Sequence, residues 1–73
     1  MNTRKILKLD WVEVQPGYWA ANTLRVSRYG KIYNAYRIVN SDVEHITSNG
    51  RIKNFRNPTN AALEAETKWG KEI

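Results

Sequence analysis

Between residues 6 and 55 the chain divides into short runs rich in Val, Ile, Tyr, Trp and Thr, separated by turn-forming clusters. The clusters are Gln15-Pro16-Gly17, Arg28-Tyr29-Gly30, Asn40-Ser41-Asp42 and Ser48-Asn49-Gly50. β-Branched and aromatic runs bounded by Gly, Pro, Asn and Asp are the pattern of strands joined by tight turns. Beyond Asn57 the period changes. Pro58, Ala61, Ala62, Ala65 and Trp69 share one stripe at about 100° per residue, as on an amphipathic helix. Asn57 is placed to cap it, Pro58 suits its first position and Gly70 ends it. The expected fold is therefore α+β: a small antiparallel sheet of three to five strands packed on one C-terminal helix. A single domain, residues 1–73, is expected, with the strands within 6–55 and the helix at about 58–69.

The most informative stretch is 18–39. Even positions hold Tyr18, Ala20, Asn22, Leu24 and Val26, then Ile32, Asn34, Tyr36 and Ile38. Odd positions hold Trp19, Ala21, Thr23, Arg25 and Ser27, then Lys31, Tyr33, Ala35, Arg37 and Val39. A hairpin with the three-residue loop Arg28-Tyr29-Gly30 puts Gly30 at a left-handed position and pairs Val26 with Ile32. It also pairs Arg25 with Tyr33. The even set then faces the helix and the odd set faces water. Asn49-Gly50 predicts a second, two-residue hairpin between residues 45–47 and 51–55. A first strand is expected at roughly Leu7 to Val14, with imperfect alternation and an open register.

Composition narrows the picture. A chain of 73 residues buries only about 60% of its unfolded surface. Its core must come from bulky side chains, here three Trp, four Tyr and one Phe. There is no Cys, so neither a disulfide nor a thiolate metal site is available. The basic and apolar start, Arg4-Lys5-Ile6-Leu7, is interrupted at Lys8 and Asp10, too early for a signal or membrane segment. A cytoplasmic protein with no membrane partner is the expectation.

Catalytic chemistry is sparse. The single histidine, His45, has Asp42, Glu44, Ser41 and Ser48 nearby in sequence, and one short turn cannot separate base, orienter and oxyanion hole. One His and seven scattered acids do not assemble metal ligands, and no phosphate-binding glycine loop occurs. No catalytic residue, metal or cofactor is expected, and the protein is read as non-enzymatic.

Charge then points to a partner. The net charge is +5, and residues 4–37 hold seven basic side chains against two acidic ones. With the odd set wet, Trp19, Arg25, Lys31, Tyr33 and Arg37 lie together. Arg28 at the loop tip, with Arg51, Lys53 and Arg56 on the last hairpin, adds phosphate contacts. Cations displace counterions from phosphates, and aromatic rings stack on bases. Two alternatives remain open: an ordinary solvated face in which Arg25 and Tyr33 merely pack across strands, and a second small core that takes Trp19 beneath the first strand.

The strands, Gly50-Arg51-Ile52-Lys53-Asn54-Phe55 and the alanine-rich last helix resemble the three-stranded-sheet-plus-helix DNA-binding domains of tyrosine recombinases and of plant ethylene-response proteins. The resemblance implies DNA read through the sheet by Arg25, Lys31, Tyr33 and Arg37, with Arg51 and Lys53 behind. The inter-strand spacing is longer here, and Asn60-Ala61-Ala62 stands where those domains carry an acidic residue before Ala. The segment Gly17-Tyr18-Trp19-Ala20-Ala21, with an early Trp and a short helix, is similar to small bacteriophage accessory proteins, which implies a partner in the host. The expected function is nucleic-acid binding, DNA before RNA, through a basic and aromatic sheet face. The alternative is a phage-type inhibitor or adaptor that binds a host protein, and edge-strand pairing leaves a homodimer open.

Overall fold

The computed structural model describes residues 7–70, so Arg4, Lys5 and Lys71 lie outside the described residues. The α+β architecture is as expected. Strands β1 (Val12–Gln15), β2 (Tyr18–Ala21), β3 (Leu24–Tyr29), β4 (Ile32–Val39) and β5 (Asp42–His45) form one antiparallel sheet in chain order. A small hairpin of β6 (Thr47–Ser48) and β7 (Arg51–Ile52) turns at Asn49-Gly50, as the sequence predicts. The helix α1 (Pro58–Trp69) closes the fold and packs on β3 and β4.

The register between β3 and β4 differs from the expectation. The loop is the two-residue Gly30-Lys31, so Tyr29 pairs with Ile32, Arg28 with Tyr33 and Val26 with Ala35. Gly30 has φ +64°, which suits the first central position of a tight hairpin turn as well as it suits the end of a longer loop. The partner of Val26 thus moves from Ile32 to Ala35, an odd shift, and every β4 side chain changes face relative to β3. A turn at Asn22-Thr23, with Asn22 at φ 55°, also splits the stretch read as one strand and pairs Trp19 with Val26.

Helix contact explains why this register wins. Leu24, Val26 and Ala35 are fully buried together with Ala61 and Ala65, in one cluster with Ile46, Phe55, Ala62 and Trp69. An alanine stripe lets the helix approach closely only where the sheet beneath is also small, and Ala35 meets that need where Ile32 would not. The helix ends behave as read from the sequence. Asn57 Oδ1 accepts the Asn60 N–H at 2.8 Å, Pro58 starts the helix, and the Gly70 N–H closes on the Glu66 carbonyl. Gly70 does so in right-handed rather than left-handed conformation, at φ −61°.

The first segment also differs from its expectation. Strand structure begins only at Val12, and residues 7–11 form a strap toward the helix. Its donors leave the sheet ladder for one carboxylate. Glu66 accepts the Lys8 N–H at 2.8 Å, the Leu9 N–H at 2.9 Å and the Trp11 indole N–H at 2.7 Å. Leu7, Leu9 and Trp11 pack against the core from there. Partial burial alone would raise the Glu66 pKa. The two backbone hydrogen bonds, the indole and the Lys8 charge outweigh it and hold the carboxyl below its ordinary value.

A depressed carboxyl pKa stabilises the fold above the ordinary carboxylate range and loses that contribution as pH falls through the folded-state value. Glu66→Gln is expected to lower unfolding stability by about 1–3 kcal/mol at neutral pH, since hydrogen bonds to a charged acceptor are of that size. The deficit should narrow on acidification. Urea titrations at neutral and acid pH check both outcomes.

Candidate binding face of the sheet

The new register redistributes the residues singled out from the sequence, and they do not form one surface. Trp19 and Tyr33 lie on the helix side, packed against the core with ring centroids 5.9 Å apart. Trp19 also lines a cavity of about 220 Å³ with Leu7, Trp11, Val26 and Pro58. Arg37 is on the same side. Its guanidinium sits 5.1 Å from the Trp69 ring and 2.8 Å from the Glu44 carboxylate. Lys53 Nζ is held by both Glu64 oxygens at 2.9 and 3.0 Å.

The remaining positions are scattered. Arg28 points to the helix side of the ladder, its Nε donating to the Gly30 carbonyl at 2.9 Å. Lys31 lies in the β3–β4 turn, Arg51 on the small hairpin and Arg56 in the loop before the helix, all exposed. Of the proposed face, only Arg25 lies on the side away from the helix. The physical reason is the odd register shift, which turned Tyr33 and Arg37 inward while Arg25 stayed outward.

The side that the helix leaves uncovered has its own pattern. One row crosses all five strands: Val12, Ala20, Arg25, Tyr36 and His45. A second runs Gln15, Tyr18, Ser27 and Asn34, and Tyr29 with Ile32 forms a third. Ile38 and Val43 continue the face beyond Tyr36. Three tyrosines and the histidine thus share a surface with one arginine. Every described carboxylate lies off these rows: Glu13, Asp42 and Glu44 pair with helix-side positions, and Asp10, Glu64 and Glu66 lie on the strap and the helix.

Side-chain bonds stiffen the centre. The Tyr36 hydroxyl and Ser27 Oγ are hydrogen-bonded at 2.8 Å, and the His45 ring lies 4.9 Å from the Tyr36 ring at a 38° tilt. Asn34, buried, donates Nδ2 to the carbonyls of Tyr33 and Lys53 and to Asn54 Oδ1. It closes the gap where β4 leaves β5 and pairs instead with Phe55. Arg25 Nη1 donates to the Asn22 and Leu24 carbonyls at 2.6 and 2.8 Å. Burial raises the Tyr36 pKa above the ordinary phenol value. The hydrogen bond with Ser27 lowers it somewhat, while the neighbouring Tyr18 and Tyr29 raise it further.

Sequence parity places Tyr18 and Tyr36 inside and Tyr29 in a loop, and gives His45 no contact role, so none of the four rings of this face is among the expected contact residues. The available signal was Ala35, the one small side chain on an otherwise bulky strand and the natural seat for an alanine helix. Among the described residues no three of His, Cys, Asp and Glu come together as a metal-ligating group, and no helix is long and apolar enough to cross a membrane. Comparison with protein-family models, curated proteins and solved structures gives no match.

An alkaline titration followed by phenolate absorbance should show a tyrosine that ionises late and disappears in Tyr36→Phe. Ser27→Ala, which removes the one contact favouring the phenolate, should delay it further. A raised phenol pKa stabilises the fold below the ordinary phenol range and loses that contribution as pH rises through the folded value, so Ser27→Ala, whose phenol value is higher still, should unfold at a lower alkaline pH than its neutral stability implies.

Proposed function

We propose that the protein is a non-enzymatic nucleic-acid-binding domain and that its contact surface is the open face of the sheet. The observation that supports this reading is a face carrying Tyr18, Tyr29, Tyr36, His45 and Arg25 and, among the described residues, no carboxylate, in a chain of net charge +5. A polyanion meets no like charge there, and the rings offer bases a stacking surface. Two cations of the chain are engaged in ion pairs elsewhere, Arg37 with Glu44 and Lys53 with Glu64. Arg25 and Lys31 make no ion pair with a described carboxylate, Arg25 standing on the open face and Lys31 at the tip of the β3–β4 hairpin. Phosphates can reach them at the border of the tyrosine cluster.

A second reading keeps the same face and changes the partner. Tyr, Ser, Asn and Arg are the adaptable residues of protein-binding surfaces, and Val12 and Val43, 57% and 53% exposed, give this face apolar margins. The partner would then be a host protein, bound by an inhibitor or adaptor.

Fluorescence anisotropy with labelled mixed-sequence oligonucleotides tests the first reading. Binding should weaken with salt at a slope of about 1.4 on logarithmic axes, as expected for roughly two neutralised phosphates on a single strand. Arg25→Ala should weaken it severalfold more than Arg56→Ala, which removes the same charge away from the face. Absence of binding at low salt would overturn the proposal, and a lysate partner that stays bound after nuclease treatment would favour the second reading.

A further inference from the structure

We infer that this face takes an unpaired strand, with bases stacked singly on about three ring positions, and does not read a duplex groove. The inference rests on the nucleic-acid reading above and specifies its ligand.

A sheet that reads a major groove needs long donors projecting from its centre toward base edges. The centre of this sheet has none to spare. Ala20 and Ser27 are short, and Ser27 and Asn34 are each only 8% exposed. The Asn34 amide nitrogen already serves three acceptors, and the Ser27 hydroxyl is engaged with Tyr36. One terminal nitrogen of Arg25 is folded back onto turn carbonyls. What the face offers outward is aromatic: Tyr29 is 56% exposed, and Tyr18, Tyr36 and His45 are half-buried.

Ring spacing separates the two ligand types. Neighbouring strands lie about 4.8 Å apart and alternate residues along a strand about 6.8 Å apart. Tyr18 on β2 and Tyr36 on β4 are separated by the whole of β3 and by two residues along it, so their backbones lie roughly 12 Å apart and their side chains lean toward each other only at the hydroxyl ends. Tyr29 stands one row beyond Ser27, the partner of Tyr18. Bases in a duplex strand rise only about 3.4 Å from one to the next. Bases seated on these rings must therefore be splayed from one another, as an unpaired strand permits and a paired one does not. His45, stacked beside Tyr36, widens one seat and does not add a separate one. The three seats are Tyr29, Tyr18 and the Tyr36–His45 pair, with Lys31 at the Tyr29 end and Arg25 beside Tyr36 for the phosphates.

The test measures the affinity of the full chain for labelled oligothymidylates of increasing length, alongside a hairpin duplex of matched phosphate number. Affinity should climb steeply to three or four nucleotides and then level, with the unpaired strand preferred at least tenfold over the duplex. Tyr29→Ala, at an exposed position that leaves the core intact, should weaken single-strand binding about fivefold or more, the lower end of the stacking range, and Tyr29→Phe should restore it. Equal or tighter duplex binding would overturn the inference while leaving the nucleic-acid reading standing. So would affinity that keeps rising with phosphate number and ignores Tyr29→Ala, because charge alone would then account for it. No binding to any oligonucleotide would overturn both.

Discussion

The fold depends on a close approach between small side chains. Ala61, Ala62 and Ala65 bring α1 down onto the sheet, and Ala35 is the residue of β4 that allows it. Packing of this kind has little tolerance, because a larger side chain on either surface would lift the helix and open a void along its length. The bulky members of the core then stand around the contact, with Leu24 and Val26 on β3, Phe55 before the helix and Trp69 at its far end. Once Ala35 faces the helix, Tyr36 cannot. The tyrosine-rich outer face is thus the other side of the same packing decision.

The N-terminal strap adds a long-range tie to this small core. Glu66 gathers two backbone N–H groups and an indole N–H from residues 8–11, which leaves these donors satisfied although they belong to no strand. It also brings Leu7 and Trp11 over Trp19, so that the side of the domain opposite the tyrosines is filled with apolar rings. Structure and proposed contact surface are in this way divided between the two sides of one sheet.

Much of this architecture is written locally in the chain. Asn49-Gly50 predicts its hairpin and Asn57-Pro58 its helix start, because each depends on the conformational preferences of two or three adjacent residues. The alanine stripe likewise predicts which side of α1 is buried. The β3–β4 register was not legible in that way. Gly30 can serve a two-residue or a three-residue loop, and the choice is made by a contact with the helix some thirty residues later in the chain, invisible to any local pattern. The strap is hidden for a similar reason: Leu7, Leu9 and Trp11 alternate as a strand would, while the Lys8 and Leu9 N–H groups and the Trp11 indole donate to a carboxylate 55 to 58 residues away. The displaced register moves Tyr33 and Arg37 to the helix side and Tyr36 to the open face, and the Asn22-Thr23 turn does the same for Trp19 and Tyr18. The charge balance and aromatic content were visible from the start, and their arrangement on a face was not.

Nuclear Overhauser contacts of the alanine methyl groups test the placement of the two faces most directly. The account predicts contacts from Ala61 and Ala65 to Ala35 and Val26, and none from these alanines to Ile32 or Tyr36. Contacts from the helix alanines to Ile32 and the Tyr36 ring, with Ala35 and Tyr33 facing solvent, would contradict it.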